Sequence, residues 1–399
     1  MSLIADLHIH SKYSRATSPE MNIPTMAKWA KIKGIQLLGT GDFTHPGWLE
    51  ELRTDLEPVG PGTFAHGGIK FLLTAEVSNI YHREGKLYKV HNILLAPDLL
   101  TVEKIIRQLT GYGKLASDGR PILIMDSQDL VKIVMDCSSE CMVIPAHAWT
   151  PHFGVLGSVS GFNSLEECFG DQVKHIYAVE TGLSSDPPMN WRLTQLDRIT
   201  LISNSDAHSP QNLGREANVL SIPDGNDLYR QVTEIIKTKD KTRFLNTIEF
   251  FPEEGKYHFN GHRLCQYRAH PRETIPRQNI CPVCGKPITV GVLHRVEALA
   301  DRNDKMPESA IPYRNLIPLR EIIAAVLDCG KSTKKVDKEY LRLINGLGTE
   351  FRVLMEASEA ELREHSSAKI ASGIMKMRAG EVEINPGYDG EFGSVKIKR

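Results

Sequence analysis

The feature that most constrains the fold is an alternation of short apolar segments with longer amphipathic ones over residues 1–235. The short segments have the length and composition of buried strands, and the longer ones show helical spacing. This alternation predicts βα units and a parallel sheet, and seven or eight units in series favour a closed barrel. The expected strands are residues 3–7, 36–40, 70–74, 88–95, 122–125, 142–145, 176–179 and 199–203.

Side chains that commonly bind metals stand at or near the ends of these strands. Asp6, His8 and His10 alternate along the first strand end and therefore point to one face. Asp206 and His208 repeat the pattern after the last expected strand. Further residues of this kind accompany the strands between them: Asp42, His45, Glu76, His91, His147 and Glu180. Because the carboxyl ends of barrel strands meet at one pole, we expect all of these side chains to gather there.

The residue types in this set indicate metal chemistry. Histidines and carboxylates with few cysteines are typical of a multinuclear site for divalent ions such as zinc, manganese, magnesium or iron. Glu76 and Asp206 are the candidate bridging carboxylates, and with His8 they are the candidate catalytic residues. Two or three ions held in this way suit hydrolysis of a phosphoester. A glycine-rich nucleotide loop is absent from the sequence, which argues against nucleotide-driven phosphoryl transfer.

A segment of different character follows the expected barrel and carries a second candidate metal site. Cys281 and Cys284 have the spacing of a zinc knuckle, and Gly-Lys follows them as in its tight turn. Cys265 and His270 supply two more ligands at a workable spacing, which predicts a structural zinc held by three cysteines and one histidine. His262 or His258 can take the place of His270. The alternative is a single knuckle turn with unpaired thiols.

The rest of the chain has a mostly helical pattern. Gly346-Leu347-Gly348 resembles the turn of a helix-hairpin-helix, in which backbone N–H groups bind a DNA phosphate. An ordinary connection between helices is the alternative. We therefore expect three parts: a catalytic barrel over 1–245, a connector with a zinc-binding module over 246–310, and a mainly helical DNA-binding domain over 311–399.

Composition narrows the class of protein. Hydrophobic residues make up 41% of the 399 residues and charged residues 24%, which is ordinary for a globular protein. The seven cysteines are an odd number, which favours a reducing compartment over a disulfide framework. We see no signal-peptide pattern and no apolar stretch of about 18 residues. The expected location is the cytoplasm, without membrane association.

The metal-ligand motifs resemble those of a known family. Asp6-Leu7-His8-Ile9-His10-Ser11 is similar to the first motif of the polymerase and histidinol phosphatase (PHP) family, and the later motifs follow in order at Glu76, His91, His147 and 206–208. The resemblance implies a distorted (β/α)7 barrel, similar to a TIM barrel, with a trinuclear metal site. The first metal of that site would be held by His8, His10, Glu76 and Asp206.

The same resemblance assigns the remaining ligands. Glu76, His91 and His147 would hold a second metal, and His208 would help to hold a third. The second motif departs from the Thr-Asp-His of the family, because residues 40–45 read Thr-Gly-Asp-Phe-Thr-His. The third metal is then either missing or held differently, by Asp42 and His45.

Longer segments narrow the resemblance to the endonuclease Q family within the PHP proteins. These segments are residues 6–14, 39–46, 180–187 and 249–258. That family cuts DNA on the 5′ side of deaminated bases (uracil, hypoxanthine and xanthine) and of abasic sites, and leaves a 3′-hydroxyl and a 5′-phosphate. The resemblance implies a DNA repair endonuclease that extrudes the damaged nucleotide. The alternatives are a PHP phosphatase for a small phosphomonoester and a non-catalytic DNA-binding protein.

Overall fold

The structure, a computed structural model, describes residues 2–223, 225 and 227–398. The chain forms two compact units that interleave along the sequence. The first unit comprises Met1–Ala30, Ile35–Ile248 and Arg295–Tyr313. The second comprises Lys31–Gly34, Glu249–His294 and Arg314–Arg399. The division into three parts that we expected from the sequence stays a prediction.

Short strands alternate with helices in the first unit, and helices dominate the last part of the chain. The strands are β1 (Ser2–Asp6), β2 (Leu37–Gly39), β3 (Glu57–Gly60), β4 (Thr63–His66), β5 (Ile69–Arg83), β6 (Lys86–Ala96), β7 (Ile122–Leu123), β8 (Met142–Pro145), β9 (Ala178–Glu180), β10 (Thr200–Ile202), β11 (Ala217–Ser221), β12 (Phe244–Glu249), β13 (Asn260–His262), β14 (Tyr267–Ala269), β15 (Tyr313–Asn315), β16 (Val382–Asn385) and β17 (Ser394–Ile397). The helices are α1 (Ile23–Lys33), α2 (Pro46–Asp55), α3 (Leu99–Leu109), α4 (Ser127–Cys137), α5 (Leu165–Phe169), α6 (Pro187–Asn190), α7 (Leu228–Thr238), α8 (Pro271–Thr274), α9 (Val292–Leu299), α10 (Leu319–Leu327), α11 (Lys334–Leu347), α12 (Glu350–Met355), α13 (Glu359–His365) and α14 (Ala368–Arg378).

The strands of the first unit follow one another in a ring. β1, β2 and β5 are parallel, β6 is antiparallel to both β5 and β8, and β9 is parallel to β10. Two joints of the ring are made by isolated backbone contacts: Ala148 N donates to Glu180 O at 2.9 Å, and Ile9 bridges to Ala207. The α/β class, the helical carboxyl-terminal part and the Cys/His module expected from the sequence are confirmed.

The hairpin of β5 and β6 differs from the expectation. The sequence predicted separate strands over 70–74 and 88–95, whereas β5 continues to Arg83 and pairs with β6 along its length. Glu84 and Gly85 both adopt positive φ, at 52° and 80°, which is the conformation of a tight two-residue hairpin turn. Glu76 and His91 therefore lie inside long strands, and the sheet is mixed rather than all parallel.

The core of the first unit shares strand faces with part of the site. Leu3, Ala5 and Leu7 of the β1 segment are buried in a cluster that includes side chains of β2, β6 and α7. Burial of one such leucine stabilises the fold by about 1.5–3 kcal/mol. Leu72 of β5 and Ile93 of β6 belong to the same cluster, and Glu76 and His91 lie four and two residues from them, on the same strand faces.

The carboxyl-terminal part of the second unit is a set of helices with short connections. α10 packs against α11 and α14, and the hairpin of β16 and β17 contacts α10 and α14. Gly348 ends α11 at a φ of 99°, and Thr349 caps the following α12. Within the described residues, every helix is too short or too polar to cross a membrane.

Candidate metal centres

The end of β1 brings two imidazoles to the middle of the first unit. Ile9 forms a parallel bridge with Ala207, and His10 N donates to Ala207 O at 3.1 Å. This bridge places the residues that follow β1 beside those that follow β10. His8, His10 and Asp206 therefore converge, although almost 200 residues separate them in the sequence.

The first candidate metal centre consists of His8, His10, Glu76 and Asp206. Their ligand atoms all lie within 4.8 Å of one another. Nε2 of His10 lies 2.9 Å from Oδ1 of Asp206, and Nε2 of His8 lies 3.6 Å from Oε2 of Glu76. Nε2 of His8 is buried without a hydrogen-bond partner in the described part of the chain. Buried imidazole nitrogens that face two carboxylates fit a divalent cation.

The second candidate centre consists of Glu76, His91 and His147. Nδ1 of His91 lies 2.8 Å from Oε1 of Glu76, and Nε2 of His147 lies 3.1 Å from the same oxygen. Burial lowers the pKa of His91 to about 4, although the charge of Glu76 acts in the opposite direction. His91 is therefore neutral near pH 7, and the neutral imidazole is the form that binds a metal.

Glu76 belongs to both centres, with one carboxylate oxygen directed to each. Oε2 lies 3.3 Å from Nε2 of His10, whereas Oε1 faces His91 and His147. Burial by itself raises the pKa of Glu76, but the imidazoles of His91 and His8 and the charge of Arg120 outweigh it and hold the pKa well below 4.5. An ionised carboxylate in this position can bridge two cations.

Glu180 lies behind the ligand groups and orients two of their histidines. Both of its carboxylate oxygens lie 3.0 Å from Nδ1 of His8, and Oε1 accepts a hydrogen bond from the backbone N of His147. Asn204 donates to Oε2 at 2.8 Å. A carboxylate on Nδ1 leaves Nε2 of the imidazole available to a metal. The structure thus places Glu180 outside both ligand groups.

Asp42 has the equivalent position behind His10. Its Oδ1 lies 3.2 Å from Nδ1 of His10, and Oδ2 accepts hydrogen bonds from Ser11 and Ser14. Burial raises the pKa of Asp42. The hydrogen bond and charge of His10, together with the hydrogen bonds from Ser11, outweigh burial and lower the pKa. Asp42 is therefore ionised and orients His10, and it lies outside both ligand groups.

His45 and His208 also lie outside the two groups. His45 caps the start of α2 through its ring, its Nε2 lies 3.2 Å from Ala116 O, and the ring stacks on Tyr13. The His208 ring lies 4.5 Å from that of His10, and its Nδ1 lies 2.9 Å from the backbone oxygen of Asp206. A third metal held by these residues stays a prediction.

One residue at the site, Arg120, was not among the sequence candidates, and another, Asp6, was expected among the ligand-type side chains but lies outside both ligand groups. Nη1 of Arg120 donates to Oε2 of Glu76 at 3.1 Å. Asp6, on β1, accepts hydrogen bonds from Ser205 and Gly214, and burial raises its pKa to about 6. Asp6 thereby fixes the turn that carries Asp206. A motif search does not find Arg120, because it lies in a segment without strand or helix periodicity.

A third group of ligand-type atoms lies in the second unit. His262, Cys265, Cys281 and Cys284 present atoms that all lie within 4.8 Å of one another. Sγ of Cys284 lies 3.4 Å from Nδ1 of His262. Burial raises the pKa of Cys281, but the backbone N–H groups of Cys284 and Val283 outweigh it and lower the pKa to about 6. A thiolate favoured in this way fits a tetrahedral zinc site.

His262 thus stands where the sequence suggested His270 first. The β13–β14 hairpin brings the end of β13 beside Cys265, whereas His270 begins the next helix. Nδ1 of His270 accepts a hydrogen bond from the backbone N of Arg272, and the ring contacts Phe259. The capping role of His270 explains its position outside the group.

Comparison with known proteins starts from two sequence relatives. MJ0043 of Methanocaldococcus jannaschii is 33% identical over 239 residues, and YqxK of Bacillus subtilis is 29% identical over 412 residues. The first match covers 59% of this chain but only 30% of MJ0043, so the chain spans less than a third of that relative. The second covers 99% of both chains. The profile of the MJ0043 C-terminal domain matches residues 318–381.

Two solved structures are similar over the whole chain. The lesion-specific endonuclease PfuEndoQ from Pyrococcus furiosus has a TM-score of 0.90 and 32% identity, and the match covers 100% of this chain and 96% of that one. Endonuclease Q in complex with a 27-mer duplex that has an abasic lesion at the active site has a TM-score of 0.87 and 32% identity, with coverage of 100% and 97%. Full-length similarity at this identity, together with the converging motifs, shows that the chain belongs to the endonuclease Q family.

Proposed function

We propose that this protein is a metal-dependent DNA repair endonuclease. It would hydrolyse the phosphodiester on the 5′ side of uracil, hypoxanthine, xanthine and abasic sites, and leave a 3′-hydroxyl and a 5′-phosphate. The observation that carries the proposal is the position of Glu76, which faces two ligand groups at once. The family relative bound to a duplex with an abasic lesion supports DNA as the substrate.

The two groups around Glu76 suit a pair of divalent ions. Zinc, manganese, magnesium or iron in these groups would supply an activated water and neutralise charge on the phosphate. The contribution of the protein is to hold the ligands in place before substrate arrives. Glu180 and Asp42 fix the Nδ1 side of His8 and His10, so the Nε2 atoms stay directed at the carboxylates of the site.

The second unit would serve DNA binding. A structural zinc held by His262, Cys265, Cys281 and Cys284 would order the short hairpins around it, which have few buried apolar side chains of their own. The helices from Leu319 onward would extend the surface offered to the duplex. A phosphatase for small monoesters has no need of such an extension.

The test is cleavage of end-labelled duplexes that differ only at one position. The duplexes carry a normal base, deoxyuridine, deoxyinosine, deoxyxanthosine or an abasic site, and each is incubated with Mg²⁺, Mn²⁺ or Zn²⁺. We expect a nick on the 5′ side of each lesion and none in the normal duplex. Hydrolysis of small phosphomonoesters without any nicking would contradict the proposal, as would intact lesion duplexes under all three metals.

Asp206→Ala tests whether the nick comes from this site. Asp206 lies 2.9 Å from His10 in the first ligand group, and its loss removes a ligand and a negative charge. We expect nicking to fall roughly 10³-fold or more, because electrostatic stabilisation and metal activation are lost together. Circular dichroism checks that the fold is kept. The control is His175→Ala, an imidazole in a short turn after α5 that belongs to none of the three groups.

A further inference from the structure

The segment between α3 and β7 brings Arg120 to the edge of the metal centres with a fixed backbone. Gly119 N donates to Tyr13 O at 3.0 Å, and Ser78 of β5 donates to the carbonyl of the residue after Arg120 at 2.9 Å. A Cβ at Gly119 would lie 2.2 Å from Oδ2 of Asp42. Glycine therefore lets the segment approach the carboxylate behind His10, and this approach sets the direction of Arg120.

The guanidinium of Arg120 contacts the metal centres and remains partly exposed. Its Nη1 lies 3.1 Å from Oε2 of Glu76, the oxygen that also faces His8 and His10. The Arg120 side chain is 27% exposed, whereas that of Glu76 is fully buried. The contact with Glu76 uses one of the five N–H donors of the guanidinium. The guanidinium thus contacts the ligand groups and is itself partly exposed to solvent.

We infer that Arg120 is a catalytic residue that binds a non-bridging oxygen of the scissile phosphate. The inference rests on the proposed function and names a residue for it. A phosphate that reacts at the two centres must lie next to Glu76, and Arg120 already lies within hydrogen-bond distance of that carboxylate. A planar guanidinium matches two phosphate oxygens, and its charge offsets the negative charge that develops on them during hydrolysis.

Arg15 is the nearby arginine that the geometry does not favour. Its side chain is 79% exposed, and Nε lies 3.3 Å from Oδ2 of Asp118. Asp118 also accepts a hydrogen bond from the backbone N of Arg120. Both arginines therefore contact Asp118, whereas the contact to Glu76 is made by the Arg120 side chain. Arg15→Ala therefore removes the same kind of side chain from the same region without changing a contact to Glu76, and it is the matched control.

The experiment pairs a change in the protein with a change in the phosphate. Binding is measured by fluorescence anisotropy in Ca²⁺ with two duplexes that both have a tetrahydrofuran abasic analogue. In the second duplex the scissile phosphate is a neutral methylphosphonate. The wild-type protein should bind the methylphosphonate duplex about tenfold more weakly, because a charge-assisted contact is lost. In Arg120→Ala the ratio should fall well below tenfold, because only the metal centres then distinguish the charged phosphate from the neutral one. In Arg15→Ala the tenfold ratio should remain.

Metal content separates this role from a structural one. Inductively coupled plasma mass spectrometry should find equal metal in wild type, Arg120→Ala and Arg120→Lys, and the lysine variant keeps a readout if the alanine variant misfolds. A ratio in both Arg120 variants that equals the wild-type ratio overturns the inference, and so does loss of metal in them. A further outcome is that the wild-type protein nicks the lesion duplex while the ratio of affinities for the two duplexes is the same in the variants as in wild type. That pair of results would overturn the role of Arg120 and leave the endonuclease proposal intact.

Discussion

Three residues of the site have backbone conformations that side chains rarely adopt. The φ angles of Asp42, His147 and Asp206 are 49°, 30° and 47°, and each residue follows a strand of the ring. Such conformations cost about 1–3 kcal/mol for most residues, and they persist where the surrounding structure imposes them. Gly41 precedes Asp42 and also has a positive φ, 63°. Glycine is required there because a Cβ would lie 2.3 Å from Ile9 O. The extra residues in the second motif therefore turn Asp42 back toward His10.

At the residue scale, Glu180→Gln should weaken metal binding without unfolding the protein. An amide offers one acceptor where the carboxylate offers two, so Nδ1 of His8 and the backbone N of His147 lose the charge that orients them. We expect metal affinity at the two centres to fall about 10–100-fold. Isothermal titration of the metal-free protein with Mn²⁺ measures it. Glu166→Gln, at an exposed pair with Arg198, is the control, and equal affinities in the two variants would contradict the assignment.

At the element scale, the carboxyl-terminal hairpin supports the Cys/His module within the second unit. Asp389, in the turn between β16 and β17, accepts hydrogen bonds from Arg263 N at 2.7 Å and Thr289 Oγ1 at 2.5 Å. Arg263 directly follows His262, a member of the ligand group. The Tyr388 ring packs on Gly261, where a Cβ would lie 2.2 Å from Tyr388 Cδ2. The turn of the carboxyl-terminal hairpin thus packs against the Cys/His module and stabilises it.

Asp389→Ala should therefore speed the loss of metal from the Cys/His group. The turn that follows His262 loses the hydrogen bond from Arg263 N to Asp389, and Thr289 loses its own, so the ligands separate more often. We expect release to a chromogenic chelator to become several-fold faster, with circular dichroism almost unchanged. Glu391→Ala serves as the comparison, because Glu391 lies 3.8 Å from Arg263 in an exposed pair worth about 0–1 kcal/mol. Release at the wild-type rate in Asp389→Ala would show that the hairpin does not support the module.

At the scale of the whole molecule, a buried ion pair in the second unit affects stability. Oε2 of Glu350 lies 2.8 Å from Nζ of Lys33 and accepts a hydrogen bond from Tyr340 at 2.6 Å. Burial raises the pKa of Glu350, but the charge of Lys33 and the hydrogen bonds outweigh it and lower the pKa below 4.5. A lowered pKa means that the folded state favours the ionised carboxylate. The resulting stabilisation is present above about pH 4.5 and is lost as the pH falls through the folded-state pKa.

Glu350→Gln should consequently destabilise the protein in a pH-dependent way. Removal of one partner leaves Lys33 buried and unpaired, which costs about 3 kcal/mol near neutral pH. The difference from wild type should shrink as the pH falls through the folded-state pKa of Glu350, which lies below 4.5. Urea unfolding at pH 7 and at a series of acidic pH values measures the change. Glu359→Gln, at an exposed pair with Arg363, should change stability by less than about 0.5 kcal/mol, and a pH-independent loss in Glu350→Gln would contradict the ion-pair explanation.

Local patterns in the sequence were enough to determine the α/β class and the family. Strand residues alternate between faces and the strands of a ring share one pole, so the order Asp-x-His-x-His, Glu, His, His, Asp-x-His already predicts a common site. The structure brings ligand atoms together in two groups that share Glu76, formed by His8, His10, Glu76, His91, His147 and Asp206. The α/β class and the common site need only periodicity, which short stretches of sequence carry, whereas the family rests on the resemblance of the motifs.

Tertiary structure alone decided which atoms meet. Glu180 and Asp42 follow strands as Glu76 and Asp206 do in the sequence pattern, yet they lie behind the histidines. His262 joins the cysteines where His270 was expected, and Arg120 reaches Glu76 across 44 residues. The physical reason is that the turn after each strand sets the direction of the side chains in that turn, and a shift of a few ångströms decides whether a side chain is a ligand. That direction depends on packing between segments distant in sequence, such as Gly119 against Asp42, and no local pattern encodes it.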